Sequence, residues 1–216
     1  MRDGIVDFLK QHRDETDIFC FQEADGNMPE ICGETLPNYK QINSYKYVSE
    51  YDEFPQLTCI HNDINIVSSG VLFEGNMTAG LGLYVKINVT DQKITLLNFH
   101  GLSRPGDKLD SPDRLKQFRG VIDFMQRWSK IRIIGGDFNI LPDTESIELF
   151  EKQNYRNLIR EFNIPTTRNR IVWEKFPDNK QLHSNYAFVN KEVTIKSFSV
   201  ENIEISDHLP MILEIL

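Results

Sequence analysis

The sequence predicts an α/β fold with mixed β-sheets. Three observations support this prediction: apolar runs of strand length recur along the chain, amphipathic segments of helical period lie between some of them, and long polar loops separate the rest. Elements mixed in this order are typical of helices layered on mixed sheets. We expect residues 1–216 to form a single domain, because no low-complexity segment or linker divides them.

The first half of the chain is predicted to begin with a helix and continue mostly as strands. Residues 4–12 have the apolar spacing of an amphipathic helix, and residues 17–23 form an apolar strand. The stretch 24–38 is rich in Gly, Pro, Asn and Asp, so we expect a loop there. Further strands are expected near 40–50, 56–61, 64–73, 81–89 and 93–99.

The second half is predicted to contain two helices among further strands. Ser111 and Pro112 open the first helix, with Ser as the N-cap and Pro at the first helical position. A strand over 131–137 and a helix near 145–153 follow, and 154–182 is expected to be irregular. The last expected strands lie near 186–190, 193–200 and 210–215.

Composition limits the class of protein. The chain is 40% hydrophobic and 26% charged, which is typical of a soluble globular protein. Acidic residues exceed basic ones, 32 against 24, which argues against a general nucleic-acid coat but leaves a nuclease with a local basic groove open. Three cysteines without close pairing form neither a zinc motif nor a disulfide framework. With no signal peptide, membrane-spanning run or evident obligate protein partner, we expect a cytoplasmic protein.

Four polar blocks, each next to an apolar run, carry most of the functional information. Polar groups at strand ends point out of the core at a sheet edge, so we expect the blocks to converge on one pocket. Carboxylates, an Asn and two His suit a hard divalent cation and phosphate chemistry. The blocks are Gln22-Glu23, His100, Gly136-Asp137-Phe138-Asn139 and Ser206-Asp207-His208.

The most informative block contains Asp137 and Asn139. Residues two apart in an extended chain point to the same side, so these two side chains share a face. Asp can bind a metal or hold a water, and Asn can donate to a phosphate oxygen. An Asx turn is the alternative, but Gly135-Gly136 just before indicates close backbone approach and favours a functional site.

The other candidates each have a structural alternative. Glu23 is either a metal ligand or a solvated strand-end acid. His208 is either an acid, base or charge stabiliser, or part of a surface Asp-His pair. His100 either contacts phosphate or has its hydrogen bonds satisfied locally. Basic residues that could bind phosphate are Arg104, Lys108, Arg168 and Arg170.

Taken together, the four blocks in this order resemble the endonuclease/exonuclease/phosphatase superfamily, from about Asp17 to the end of the chain. G-D-F-N with a terminal S-D-H is specific for the superfamily and poorly specific for substrate. The resemblance implies a four-layer sandwich of two mixed β-sheets flanked by helices. It assigns metal binding to Glu23 with Asp207 nearby, phosphate contact to His100, water activation to Asp137, substrate orientation to Asn139 and catalysis to His208.

The chain departs from the family pattern in two places. The family begins with a strand ending in an Asn that joins the site, whereas this chain begins at the helix that would follow. A truncated chain, a start placed too late or a differently built sheet would each account for the missing first strand. Asn185 stands where the family has an Asp that orients the catalytic His, so we expect it to contact His208 without stabilising an imidazolium by charge.

The leading hypothesis is an Mg²⁺- or Mn²⁺-dependent phosphoesterase in which water attacks phosphorus in line. A phosphodiester, first of all in nucleic acid, is the expected substrate, with Arg104, Arg168 and Asn185 on the substrate side. The alternatives within the class are a phosphomonoesterase and a phospholipid-headgroup phosphodiesterase. The alternative outside it is a catalytically weakened binding protein, suggested by the missing strand and by Asn185.

Overall fold

The computed structural model describes residues 2–24, 26–44, 55–73 and 82–216, which form helices and three sheets. In chain order the elements are α1 (Arg2–His12), β1 (Ile18–Phe21), α2 (Met28–Thr35), β2 (Tyr39–Asn43), β3 (Leu57–His61), β4 (Asn65–Leu72), β5 (Gly82–Val89), β6 (Gln92–His100), α3 (Pro112–Gln126), β7 (Ile131–Asp137), α4 (Glu145–Lys152), β8 (Tyr155–Asn157), α5 (Leu158–Glu161), α6 (Arg170–Lys175), β9 (Asn185–Asn190), β10 (Ile195–Val200) and β11 (Met211–Ile215).

The largest sheet is mixed and has six strands in the order β4-β5-β6-β7-β9-β8. Strands β6 and β7 pair in parallel, and the other neighbours in this sheet pair antiparallel. Strands β1, β3 and β2, in this order, form a three-stranded antiparallel sheet, and β10 pairs antiparallel with β11. The predicted α/β class with a large mixed sheet is therefore confirmed. Among the described residues, the remaining strands form two smaller antiparallel sheets instead of one mixed sheet.

The core explains how these layers are held together. On the helix side, Phe118 of α3 and Phe150 of α4 both pack against Phe138, which follows β7. Between the sheets, Ile60 of β3 packs with Val85 of β5 in a second apolar cluster. All five side chains are fully buried. Burial of each such side chain contributes about 1.5–3 kcal/mol, so both clusters contribute to the stability of the fold.

Most of the predicted elements are present, and two predicted irregular stretches are wrong. The stretch 24–38 contains helix α2, whose Ile31 and Cys32 are buried in the core. Tertiary packing of this face outweighs a composition that favours turns. The stretch 154–182 contains β8, α5 and α6, which are too short to show a periodic pattern. The predicted strand near 40–50 is observed to Asn43, and its later part falls outside the described residues.

The helices within the described ranges are all too short or too polar to span a lipid bilayer.

Candidate active site

The ends of β6 and β7 form the base of the site. These parallel strands place His100 directly opposite Asp137. Their backbones approach so closely that a Cβ atom on Gly136 would lie 1.9 Å from the Phe99 carbonyl oxygen, and Gly136 has φ +144°. A Cβ atom on Gly101 would lie 2.3 Å from the Phe138 carbonyl oxygen. Only glycine permits this approach, which agrees with the close backbone contact predicted at this motif.

Asp137 is the most buried of the three carboxylates of the site. It is 7% exposed, and its Oδ1 accepts hydrogen bonds from the Asn139 backbone N–H and the Ser184 hydroxyl. Burial alone would raise the pKa of Asp137, but the neighbouring His208, Lys108 and His100 together hold it below the ordinary value. Asp137 is therefore ionised throughout the neutral range, and its Oδ2 is left to face His208.

Asn139 is oriented by two partners. Its Oδ1 accepts a hydrogen bond from Lys108 Nζ at 2.9 Å, and its Nδ2 donates to the Gly101 carbonyl oxygen at 3.1 Å. The residue has φ +52°, a left-handed conformation that Asn tolerates better than most residues. Asp137 and Asn139 thus lie in one pocket, as their spacing predicts, although a turn after β7 places Asn139 there.

His208 lies between three polar side chains. Its Nδ1 hydrogen-bonds to Asn185 Oδ1, as the resemblance to the family predicts. Its Nε2 lies 3.6 Å from Asp137 Oδ2 and 3.7 Å from Asp207 Oδ2. Burial lowers the pKa of His208, and nearby Arg168 and Lys108 lower it further, while the two carboxylates oppose this effect. The neutral imidazole is therefore favoured over the imidazolium.

Glu23 and His100 form the other side of the site. His100 is buried at the end of β6, and its Nε2 lies 3.7 Å from Oε1 of Glu23. The Glu23 side chain is 59% exposed, and its backbone has φ +51°. A positive φ is uncommon for a residue with a Cβ atom, and such strain is concentrated at functional sites. The neighbouring Gln22 points elsewhere and donates to Asn98 Oδ1 at 2.6 Å.

The predicted substrate-binding residues have different positions. Arg168 lies in the site: its backbone bridges to His208, and its guanidinium lies 3.5 Å from Asp207 Oδ2 and bonds to Gln181. Asn185 is buried against His208. Arg104 is exposed in the loop after β6, and none of the described contacts joins it to the other site residues.

The carboxylates differ in how well they suit a metal. Glu23 is an exposed carboxylate at a strand end, and such a group can bind Mg²⁺ while water supplies most of the remaining ligands. Asp207 already faces the Arg168 cation. No group of three or more His, Cys, Asp or Glu with ligand geometry is found in the described ranges. The donor set therefore fits a hydrated hard cation and not a closed zinc cage.

Two residues of the site are underestimated by the sequence. Lys108 is weak as a sequence candidate because exposed lysines are common, but it is buried here and bonds to both Asn139 and Ser184. Ser184 is missed, although it donates its hydroxyl to Asp137. The one available signal is its place next to Asn185, immediately before a strand that is buried at every position.

Comparisons with known proteins identify one family and a shared fold. The model of the Endonuclease/Exonuclease/phosphatase family matches residues 2–208. Among solved structures, an endonuclease/exonuclease/phosphatase from Bacteroides vulgatus superposes with a TM-score of 0.79 at 16% identity, covering 100% of this chain and 89% of that one. No curated protein matches the sequence.

Two further structures share the fold. TDP2 from D. rerio, complexed with a single-strand DNA product, has a TM-score of 0.74 at 16% identity and covers 97% of this chain and 89% of its own. A mannosyl-6-phosphatase from Bacteroides thetaiotaomicron has a TM-score of 0.73 at 18% identity and covers 100% and 90%. At these identities the similarity establishes the fold alone.

Proposed function

This chain belongs to the endonuclease/exonuclease/phosphatase family, whose members are phosphoesterase hydrolases, and from that premise we propose that it hydrolyses a phosphodiester bond with the help of a divalent cation. The observation that carries the proposal is the convergence of Asp137, His208 and Asn139 with the His100–Glu23 pair at one end of β6 and β7. These groups supply a carboxylate, a base and phosphate-binding donors in one place.

The attacking water is proposed to lie between Asp137 and His208. Their facing atoms, Oδ2 and Nε2, are 3.6 Å apart, too far for a direct hydrogen bond and close enough to share one water. The ionised Asp137 accepts one proton of that water in a hydrogen bond. A water held between these two groups is directed at a phosphorus atom in front of them.

His208 is proposed to act as the base that takes the proton from this water. A carboxamide oxygen can only accept, so Asn185 Oδ1 keeps the proton of the imidazole on Nδ1. In the neutral ring, Nε2 then carries the lone pair on the side of Asp137. The lowered pKa of His208 favours this neutral form. After proton transfer, Asp137 and Asp207 stabilise the imidazolium by charge.

Phosphate binding is proposed for His100, Asn139 and Arg168. The Asn139 amide has a second N–H beyond the one that bonds to Gly101, and this donor suits a phosphate oxygen. Arg168 supplies positive charge beside His208, with Arg104 on the exposed loop as a second basic group. Such local cations allow an anionic substrate to bind although the chain has a formal net charge of −8.

Glu23 and Asp207 are proposed to hold Mg²⁺ or Mn²⁺. The exposure of the Glu23 carboxylate supports this role, since a hard cation needs an accessible oxygen and room for water. When bound, the cation supplies a Lewis acid that stabilises negative charge on the phosphate and the leaving oxygen. Glu23 is the main ligand in this proposal, because Arg168 already offsets part of the charge of Asp207.

Nucleic acid is the first substrate to test. A structural neighbour, D. rerio TDP2, was solved with a single-strand DNA product, and another neighbour is a mannosyl-6-phosphatase. The purified protein should therefore be assayed on single-stranded DNA, RNA, bis(p-nitrophenyl) phosphate, p-nitrophenyl phosphate and sphingomyelin. Each assay is run with Mg²⁺, with Mn²⁺ and with excess EDTA.

The proposal expects metal-dependent turnover of a diester that is lost in Asp137→Asn. If only monoesters are hydrolysed, the protein is a phosphomonoesterase. If only sphingomyelin is hydrolysed, it is a phospholipid-headgroup phosphodiesterase. Binding of a phosphoester without turnover would support the alternative of a catalytically weakened binding protein. Cell fractionation would test the expected cytoplasmic location separately.

A further inference from the structure

Lys108 is a buried cation at the centre of the site. It is 8% exposed, and its backbone has φ +56°, a left-handed conformation that costs energy for a residue with a Cβ atom. Its Nζ donates to Asn139 Oδ1 at 2.9 Å and to Ser184 Oγ at 2.8 Å. The Lys108 carbonyl accepts the Leu141 N–H at 2.8 Å, which ties the loop after β6 to the loop after β7.

Burying an ammonium group costs free energy unless hydrogen bonds or opposite charges replace its hydration. Burial lowers the pKa of Lys108, and Asp137 offsets part of this effect. The fold therefore retains a buried cation on a strained backbone at a position where it contacts two other site residues. A role in the site explains this arrangement better than a role in stability, because an apolar side chain would be less costly there.

The first consequence concerns Asn139. An Asn side chain can turn over, exchanging its oxygen and nitrogen. Lys108 has only donors, so the atom of Asn139 that faces it must be the oxygen. The nitrogen is then directed to the Gly101 carbonyl and to the space where phosphate is proposed to bind.

The second consequence concerns Ser184. Because its oxygen accepts a hydrogen bond from Lys108 Nζ, its own hydroxyl group is free to donate to Asp137 Oδ1. Asp137 is thereby held through Oδ1, and Oδ2 stays turned toward His208. One ammonium group thus sets the direction of hydrogen bonding at Asn139 and, through Ser184, at Asp137.

We propose that Lys108 is a positioning residue, which fixes the Asn139 amide and, through Ser184, the Asp137 carboxylate. The inference rests on the proposed hydrolytic function. It predicts that Lys108 acts on the rate of the chemical step much more than on substrate binding.

The test is a double-mutant cycle on the diester that the wild-type protein hydrolyses best. Lys108→Met should lower kcat about 100-fold and change KM little, because small misplacements of reacting groups cost about that much. The double variant Lys108→Met/Asn139→Ala should lose about tenfold beyond Asn139→Ala, less than the loss in Lys108→Met alone, because the effect through Asn139 is already absent and only the effect through Ser184 remains. Lys130→Met, at an exposed lysine outside the site, is the matched control and should retain wild-type kinetics.

Two outcomes would overturn the inference: independent, multiplicative losses in the cycle, or a rise in KM at unchanged kcat. If Lys108→Met fails to fold in a thermal unfolding measurement, Ser184→Ala replaces it, since this variant removes the relay and leaves Lys108 in place. Ser184→Ala should then lower kcat about tenfold, and wild-type kcat in that variant would refute the relay to Asp137.

A second readout separates this inference from the proposed function. In NMR spectra, the Asn139 side-chain amide signals, assigned by their loss in Asn139→Asp, should shift in Lys108→Met and not in Lys130→Met. This measurement needs no substrate. A protein without any phosphoesterase activity would refute the proposed function, whereas unchanged Asn139 signals would refute the orientation by Lys108.

Discussion

The two sides of the candidate site differ in how deeply their side chains are buried and how many hydrogen bonds hold them. On the side of Asp137 the carboxylate is 7% exposed and is bonded through Oδ1, and His208 and Asn139 each have defined partners. On the side of Glu23 the carboxylate side chain is 59% exposed at the end of a short strand. The first side is built to hold its geometry, and the second is accessible to solvent.

This difference indicates which reacting groups the fold orients before a substrate binds. A preorganised carboxylate and base need no reorganisation when the reaction occurs, so Asp137 and His208 suit the handling of the nucleophile. An exposed carboxylate keeps its hydration and can exchange water for a metal ion and a phosphate oxygen. The comparison therefore predicts that substitutions on the two sides will have different signatures.

The largest effect is expected for Asp137→Asn. The amide keeps the shape of the side chain but removes the charge that holds the water and stabilises the imidazolium, so kcat should fall about 1,000-fold. Added Mg²⁺ should not restore the rate. Steady-state kinetics on bis(p-nitrophenyl) phosphate measure this loss, and a loss of less than tenfold would contradict the role of Asp137.

The next effect is expected for Glu23→Gln. Activity should fall about 100-fold at low Mg²⁺ and recover in part at high Mg²⁺, because the substitution weakens a ligand and leaves the buried side intact. Isothermal titration with Mg²⁺ should show weaker binding than in wild type, and Asp207→Asn should weaken it less. Glu15→Gln, the same change at an exposed position in the turn after α1, is the control. Equal Mg²⁺ affinity in Glu23→Gln and wild type would show that Glu23 is not a ligand of the metal.

A smaller effect is expected for Arg168→Met. This substitution removes the cation that faces Asp207 Oδ2 and keeps much of the apolar stem. We expect about a tenfold loss in kcat/KM, mainly as higher KM, since one charge-assisted contact contributes about 1.5–3 kcal/mol at most. The exposed Arg119→Met provides the comparison. An unchanged KM would place Arg168 outside substrate binding.

The smallest effect at neutral pH is expected for Asn185→Asp. A carboxylate against Nδ1 should raise the pKa of His208, which burial lowers in the wild-type protein. If neutral His208 is the base, activity is lost as pH falls through this pKa, so the acidic limb of the pH–rate profile should move up by about one unit. Activity well above that pH should be nearly unchanged. Higher activity of Asn185→Asp at neutral pH would instead indicate that a protonated His208 is needed.

The strands and main helices could be predicted because their patterns are local. The strand 131–137 and the helix that begins after Ser111 are observed at the predicted positions, since hydrophobic period and capping chemistry are properties of short segments. Helix α2 could not be predicted, because its buried Ile31 and Cys32 are recognised only against the sheet they cover.

The sequence by itself determined which chemistry is available. The order of Glu23, His100, the Asp137 motif and His208 predicts one phosphate-handling pocket, because acids, amides and imidazoles at the ends of buried strands point to a common sheet edge. The resemblance to the family predicts in addition that Asn185 contacts His208, and the two side chains are hydrogen-bonded.

Only the tertiary structure decided how those groups are arranged and supported. The parallel pairing of β6 and β7 places His100 against Asp137, and segments distant in sequence deliver Lys108 and Ser184 to the same point. The role of Lys108 depends on burial and on two long-range hydrogen bonds, and neither property has a signature in the order of residues. Hydrogen-bond direction and the pKa values that follow from it are properties of packed groups, so they exist only once the chain has folded.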